Sequence, residues 1–165
     1  MKELTIAVVG ATGAVGQEIL KVMAERKIPY KELRLLASKR SAGTEIEYQG
    51  KTYTVQETTE NSFDDVDLAL FAGGPASRAY GRIAQSKGCV VIDNSSTFRL
   101  EPDVPLVVPE VNPEALKDHK GLIANPNCST ILLVSALYPL YKKSKVKRVI
   151  VSTYQAVSGA GKEAI

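Results

Sequence analysis

Thiols and imidazoles are scarce in this chain: two cysteines, Cys89 and Cys128, and one histidine, His119, in 165 residues. Two thiols cannot build a disulfide framework. With no secretory signal they point to a reducing, cytoplasmic setting. No apolar run reaches 18 residues, so no membrane partner is expected. One histidine and two cysteines far apart in sequence give no metal-ligand spacing, and no metal is expected. His119 closes the polar helix pattern "ALKDHKG" and reads as a surface residue. Basic density is low as well. The net charge is +3, and "KKSKVKR" at 142–148 reads as a solvated connection rather than a nucleic-acid surface. Internal repeats and low-complexity segments are absent.

The chain is 44% apolar, enough for one substantial core. The opening "LTIAVVGATGAVGQEILKVMAER" predicts a buried strand, a glycine turn and a helix whose apolar face is Val15, Ile19, Val22 and Met23. A second strand, "ELRLLAS", ends at Ser38. "TEIEYQGKTYTVQET" alternates apolar and polar residues around "QGK", as an antiparallel hairpin does. "VDLALFAGG" and "CVVIDNSS" predict two more strands flanking the helix "ASRAYGRIAQSKG". A proline-rich loop at 102–113, a short strand "GLIAN", a helix opened by Cys128 and a strand "KRVIVSTYQ" follow. Strands alternating with helices predict an α/β fold with right-handed crossovers, a Rossmann-type doubly wound, mostly parallel sheet with helices on both faces. At the end, "SGAGKEAI" reads as a glycine turn before one helical turn, Lys162 to Ile165, expected from a longer protein that has been cut.

Two stretches carry nucleotide chemistry. Residues 10–16, G-A-T-G-A-V-G, follow a strand and open a helix; glycines there allow the tight turn and close approach to a pyrophosphate, with helix-start N–H groups facing the anion. After the second strand, where an NAD site usually offers a carboxylate to the ribose, stand Ser38, Lys39, Arg40 and Ser41. Donors and positive charge without a carboxylate suit a 2'-phosphate, although a solvated basic loop has the same composition.

Cys128 follows Asn127 and begins a helix. The dipole and unpaired N–H groups of that position favour a thiolate and could hold an oxyanion. Cys89 instead begins an apolar strand, where a small buried residue is expected. The residues alone lead to a nucleotide-binding α/β domain with one candidate nucleophile.

The motifs "GATGAVG", "DNSSTFR", "VPEVN", "PNCST" and "STYQAVSGAG", in this order and spacing, resemble the amino-terminal portion of the aspartate-β-semialdehyde dehydrogenase family, and the resemblance covers all 165 residues. The related N-acetyl-glutamyl-phosphate reductases share the glycine turn and a catalytic cysteine, but in a Gly-Cys-Tyr context from which Asn127-Cys128-Ser129 departs. The resemblance implies NADPH-dependent reduction of aspartyl 4-phosphate to aspartate semialdehyde and phosphate. It makes Cys128 the nucleophile that forms a thioester, and Gln155 the residue that orients the substrate. Arg99, which reads from the residues alone as an ordinary surface arginine, becomes a phosphate ligand, with Asn127 beside it. Gly10, Thr12, Gly13, Ala14, Val15, Ser38, Arg40, Ser41, Ser158 and Gly159 become NADP contacts. A boundary is implied between a cofactor domain, 1–127, and the start of a catalytic and dimerisation region, 128–165. The full-length parent is expected to be a homodimer or tetramer acting on a small molecule. The family's general-base histidine has no match here, since His119 precedes the nucleophile, so the chain alone is expected to be inactive. A related acyl-phosphate reductase, or a nucleotide-binding homologue without catalysis, are the alternatives; a pure binder needs neither Cys128 nor Gln155.

Overall fold

A computed structural model describes residues 3–157; Ser158, Gly159 and the expected helical turn at 162–165 lie outside the described residues. Among the described residues there are eight strands: β1 (Leu4–Val9), β2 (Tyr30–Ala37), β3 (Glu45–Tyr48), β4 (Lys51–Thr54), β5 (Gln56–Glu57), β6 (Leu68–Phe71), β7 (Val90–Asp93) and β8 (Leu122–Ala124). The helices are α1 (Ala14–Glu25), α2 (Gly74–Ser86) and α3 (Cys128–Ser144). Six strands form one sheet in the order β5-β2-β1-β6-β7-β8, and every pairing within it is parallel. The Rossmann-type doubly wound arrangement is therefore present.

Alternation along β1 shows why the sheet needs cover on both faces. Ile6 and Val8 point to one side and pack with Leu20 and Met23 of α1, Leu33 and Leu35 of β2, and Tyr48 and Val55. Ala7 and Val9 point to the other and pack with Phe63, Phe71, Ala84 of α2, Val91 and Leu122. A strand buried on both faces reads as a continuous apolar run, and "IAVV" is one. From β1 the chain winds outward through α1 to β2, and from β6 through α2 to β7. The crevice between the carboxyl ends of β1 and β6 is thus the switch point at which open α/β sheets bind ligands.

The hairpin forms as expected: β3 and β4 pair antiparallel, and Gln49 and Gly50 both take positive φ, 50° and 75°, the geometry of a tight turn matched to strand twist. The proline-rich segment is less irregular than its composition suggests. Leu106 bridges to Ala124 and Val104, Val107 and Val108 are buried.

Two expectations are corrected. The buried line of α1 is Gly16, Leu20 and Met23, while Val15 and Val22 are 37% and 42% exposed. Contact with the turn, not side-chain size, sets the rotation of the helix: a Cβ on Gly16 would lie 2.2 Å from the Gly10 carbonyl oxygen, so the helix approaches most closely along a line that begins at a glycine. Second, the strand expected in "KRVIVSTYQ" is not formed; residues 145–156 have no regular structure and, apart from half-buried Val146, are exposed. β-propensity needs a neighbouring strand to act on, and among the described residues none pairs with this segment.

Candidate active site

Everything at the site hangs from the carboxyl ends of parallel strands. At the end of β1, Gly10 turns the chain with φ 83°, and the N–H groups of Gly10 and Ala11 both donate to the Leu36 carbonyl at 2.8 and 3.1 Å. Gly13 is the N-cap of α1 and no side chain caps that helix. The N–H groups of Thr12, Ala14 and Val15 accordingly have no partner among the described residues. The Gly16 contact leaves no room for a side chain between turn and helix. An uncapped helix start held this close to its strand is a cradle for an anion, and the glycines fit the group it would hold.

Beside it, at the end of β2, Lys39–Ser41 form one 3-10 turn with Ser38 at its N-cap position and no side-chain cap. Ser38, Lys39 and Arg40 are exposed. Among the described residues no carboxylate pairs with either cation, so their positive charge is uncommitted there.

A ladder of side chains joins the next three strand ends. Asn94 Nδ2 donates to the Phe71 carbonyl at the end of β6 (3.0 Å), and Asn125 Nδ2, just past β8, donates to Asn94 Oδ1 (2.8 Å). Arg99 closes the ladder: Nε donates to the Asn125 carbonyl (2.9 Å) and Nη2 to the Asn94 carbonyl (3.0 Å). The ordinary-surface reading of Arg99 is thereby corrected. Its guanidinium is half-buried and oriented by two carbonyls, with Nη1 left without a partner among the described residues. Phe98, the residue before it, anchors the loop by lying where a Cβ on Gly81 of α2 would be 2.6 Å away. Arg82 stacks over the Phe98 ring at 5.5 Å and grips Asp103 with two bonds of 2.8 and 2.9 Å, which holds the Asp103 carboxyl below the usual range.

Asp93 lies beneath this ladder, fully buried. Its carboxylate accepts from Ser77 Oγ (2.6 Å) of α2, and from Ser95 N (3.1 Å) and Ser95 Oγ (2.8 Å). A buried carboxylate with this many donors is stabilised where an unpaired one would not be. It fixes the start of the 94–99 loop. Sequence reasoning missed Asp93, Asn94 and Asn125 as site-shaping residues; the polar cluster "DNSS" ending a buried strand was the one signal available.

Cys128 is the first residue of α3 and is exposed. Asn127 caps the helix, its Oδ1 accepting from Ser129 N (3.1 Å) and Ser129 Oγ (2.9 Å). Its Nδ2 donates to Gln155 Oε1 at 3.0 Å. The structure therefore joins Gln155 to the residue before Cys128, although Asn127 and Gln155 lie 28 positions apart in sequence. Arg99 is tied to the same turn through Asn125. Cys89 is 1% exposed, and burial, with the Asp67 charge adding to it, pushes its thiol up to about 12. His119 is remote: its Nδ1 accepts from Gly121 N (3.1 Å) ahead of β8, whereas Cys128 lies beyond the other end of that strand. Among the described residues no group of three potential ligands could hold a metal ion, and no helix is long and apolar enough to cross a membrane.

A parallel sheet with a glycine turn at its switch point defines the dinucleotide-fold class of α/β proteins. Within it, the semialdehyde dehydrogenase NAD-binding domain profile matches residues 5–119 and the semialdehyde dehydrogenase dimerisation domain profile matches 137–165. The chain belongs to the semialdehyde dehydrogenase family. It is similar to the aspartate-semialdehyde dehydrogenase of Aquifex aeolicus, 58% identical over 164 residues, covering 97% of this chain and 48% of that protein. Its fold is similar to that of aspartate semialdehyde dehydrogenase II from Vibrio cholerae complexed with ASA, with a TM-score of 0.93 and 48% identity over 99% of this chain and 50% of that one. The enzyme from Candida albicans solved with NADP is more distant, with a TM-score of 0.68 and 27% identity over 88% of this chain and 48% of that one. The chain thus spans about half the length of the relatives it matches.

Proposed function

We propose that this chain is the cofactor-binding and nucleophile-bearing half of an NADP-dependent aspartate-semialdehyde dehydrogenase, which reduces aspartyl 4-phosphate to the semialdehyde and phosphate on the route to lysine, threonine and methionine. The observation that carries the reading is the exposed Cys128 at the capped start of α3, bonded through Asn127 to Gln155 and tied through Asn125 to Arg99. The resemblance in sequence and the two profile matches support the same assignment.

In this reading the Cys128 sulfur attacks the acyl carbon of the acyl phosphate, the carbon–oxygen bond breaks, and phosphate leaves with the electron pair. Division of one difficult reduction into acyl transfer and reduction is the use of a covalent intermediate. Arg99 receives the phosphate through Nη1 and the second Nη2 hydrogen, the edge of the guanidinium left without a partner among the described residues once Nε and Nη2 hold the strand-end carbonyls. NADP, when bound, supplies hydride chemistry. Thr12, Ala14 and Val15 would hold its pyrophosphate on their free N–H groups, with Gly10 and Gly13 shaping the turn that presents them, and Ser38, Arg40 and Ser41 would hold its 2'-phosphate. The proposed division of labour puts residues 1–127 to cofactor binding and 128–165 to chemistry and, in a full-length homodimer or tetramer, to assembly.

Turnover needs a proton carrier near the thiol, and the only histidine stands at the opposite end of β8. The chain alone should bind NADPH yet fail to reduce NADP with aspartate semialdehyde and phosphate. Absence of a general base and acid typically costs about 10²- to 10⁴-fold, and loss of substrate anchoring adds to it. The assay is phosphate-dependent NADP reduction by the chain, repeated after addition of a separately expressed carboxy-terminal half from a relative. Turnover only in the second case is expected; robust turnover by the chain alone would overthrow this division of labour.

A further inference from the structure

The bonds at the start of α3 have a polarity that runs in one direction only. Ser129 N is a backbone donor and cannot accept, so the atom of the Asn127 amide that faces it must be the oxygen, as found at 3.1 Å. That choice turns Nδ2 outward. Nδ2 can only donate, so the Gln155 atom facing it must be Oε1, as found at 3.0 Å. Gln155 Nε2, with two hydrogens, is then the end of the amide left free among the described residues. A free amide nitrogen can donate to an oxyanion, whereas a free amide oxygen would repel one.

We infer that Asn127 is a positioning residue that reads the polarity of the helix start and passes it to Gln155, so that Gln155 presents a hydrogen-bond donor, not an acceptor, to the acyl oxygen of a substrate at Cys128. The inference rests on the reading of Cys128 as the acyl acceptor. It assigns the two ends of the Asn127 amide separate tasks, capping at Oδ1 and orienting at Nδ2. It makes Gln155 an electrophilic partner that polarises the carbonyl as sulfur attacks.

Two substitutions separate orienting from capping. Asn127→Asp and Asn127→Ser each keep an oxygen that can accept from Ser129 N, and both residue types are good N-caps. Neither can donate to Gln155 as the asparagine amide does: aspartate has no donor, and serine is too short. Gln155→Glu leaves Asn127 its acceptor and removes the donor at the other end. Asn127→Asp and Gln155→Glu each add a negative charge near the thiol, so the neutral serine variant controls for it.

The first measurement is side-chain amide exchange with solvent in nitrogen-15 spectra of the 165-residue chain. The Asn127 amide hydrogens should be protected and those of Gln155 exposed; in Asn127→Asp the Gln155 amide should turn round and become the protected one. Protection of Gln155 in the unsubstituted chain would show the relay running the other way and overturn the inference. The second measurement is single-turnover acylation of Cys128 by acetyl phosphate, read as phosphate release and as mass added to the Cys128 peptide. The sulfur–carbon bond forms, the carbon–oxygen bond breaks, and the thiol proton goes to buffer. All three variants should acylate more slowly, by about 10- to 100-fold, somewhat below what loss of a well-buried oxyanion donor costs. A purely capping role predicts rates for Asn127→Asp and Asn127→Ser equal to that of the unsubstituted chain, with Gln155→Glu alone slow, and that pattern would also overturn the inference. Failure of the unsubstituted chain to acylate would instead remove the thioester reading, and with it the role assigned to Asn127, even where the spectra show the amides oriented as described.

Discussion

Residues 4–124 and residues 128–157 obey different physics. The first stretch buries its apolar side chains on both faces of the sheet, with Phe63, Phe71, Ile6, Leu35, Leu36 and Leu122 among the largest to be fully enclosed. The second contains a 17-residue helix in which no residue is buried, followed by an exposed segment rich in Val, Ile and Tyr. Both have apolar sequence; among the described residues only the first encloses it fully. The difference teaches that apolar composition measures what a segment could bury, while burial depends on a second surface arriving.

One thiol stands in each region, which allows the sharpest test. A rise from the ordinary 9.0 to about 12 for Cys89 lowers its thiolate population about 10³-fold at neutral pH. Iodoacetamide should therefore modify Cys128 before Cys89 by about 10³-fold or more, since burial also blocks access. Peptide mapping after a limiting dose reads the ratio. In guanidinium the advantage should collapse towards unity, because the fold alone creates it. Preferential modification of Cys89 in the folded chain would mean that the two regions have been assigned the wrong way round.

Paired core and surface truncations come next. Phe71→Ala removes a ring that is 0% exposed and stacked on Phe63 at a centroid distance of 5.7 Å, and should cost about 3–5 kcal/mol in a urea titration. Leu132→Ala in α3, where the side chain is 73% exposed, should stay within about 0.5 kcal/mol. Comparable losses would show that α3 is packed in solution against something the chain itself provides.

The choice between NADPH and NADH should be made in the first region. Arg40→Ala should weaken NADPH by about 10- to 150-fold, the value of a charge-assisted contact of about 1.5–3 kcal/mol, and leave NADH nearly unchanged. Fluorescence titration of both nucleotides decides it. Equal affinity for the two in the unsubstituted chain would contradict the 2'-phosphate reading of Ser38, Arg40 and Ser41.

How much of this was legible in the sequence follows the same division. The sheet was readable because "IAVV" is buried on both faces and "LALF" and "VVID" are buried on one face and half-buried on the other, and the glycine turn because close approach leaves a glycine where contact is tightest. That contact also misled: Val15 and Val22 suggested an apolar face for α1, whereas Gly16 sets its rotation. "KRVIVSTYQ" carries strand propensity but finds no strand to pair with among the described residues. In the site, Cys128 at a helix start was visible from local sequence. The ladder Phe71–Asn94–Asn125–Arg99 was not, because it is assembled from three strand ends whose adjacency is a property of topology, and the bond from Asn127 to Gln155 spans a helix that hides it.

Hydrogen-bonding caps give the smallest effect and the finest comparison. Asn127→Ala removes the cap of α3, and Ser62→Ala removes the acceptor for Thr59 N (2.9 Å) at the turn that seats buried Phe63. Each should cost about 1 kcal/mol. The two costs should appear in different places. Ser62 belongs to a cooperative unit whose core opens all at once, so its loss should lower the urea midpoint of global unfolding. With no buried residue, α3 can fray without disturbing the sheet, so loss of Asn127 should leave that midpoint in place and instead speed limited proteolysis within 128–144 by about fivefold, the same 1 kcal/mol read as a local opening equilibrium. A shift of the global midpoint by Asn127→Ala equal to that of Ser62→Ala would show one cooperative unit where the burial pattern describes two.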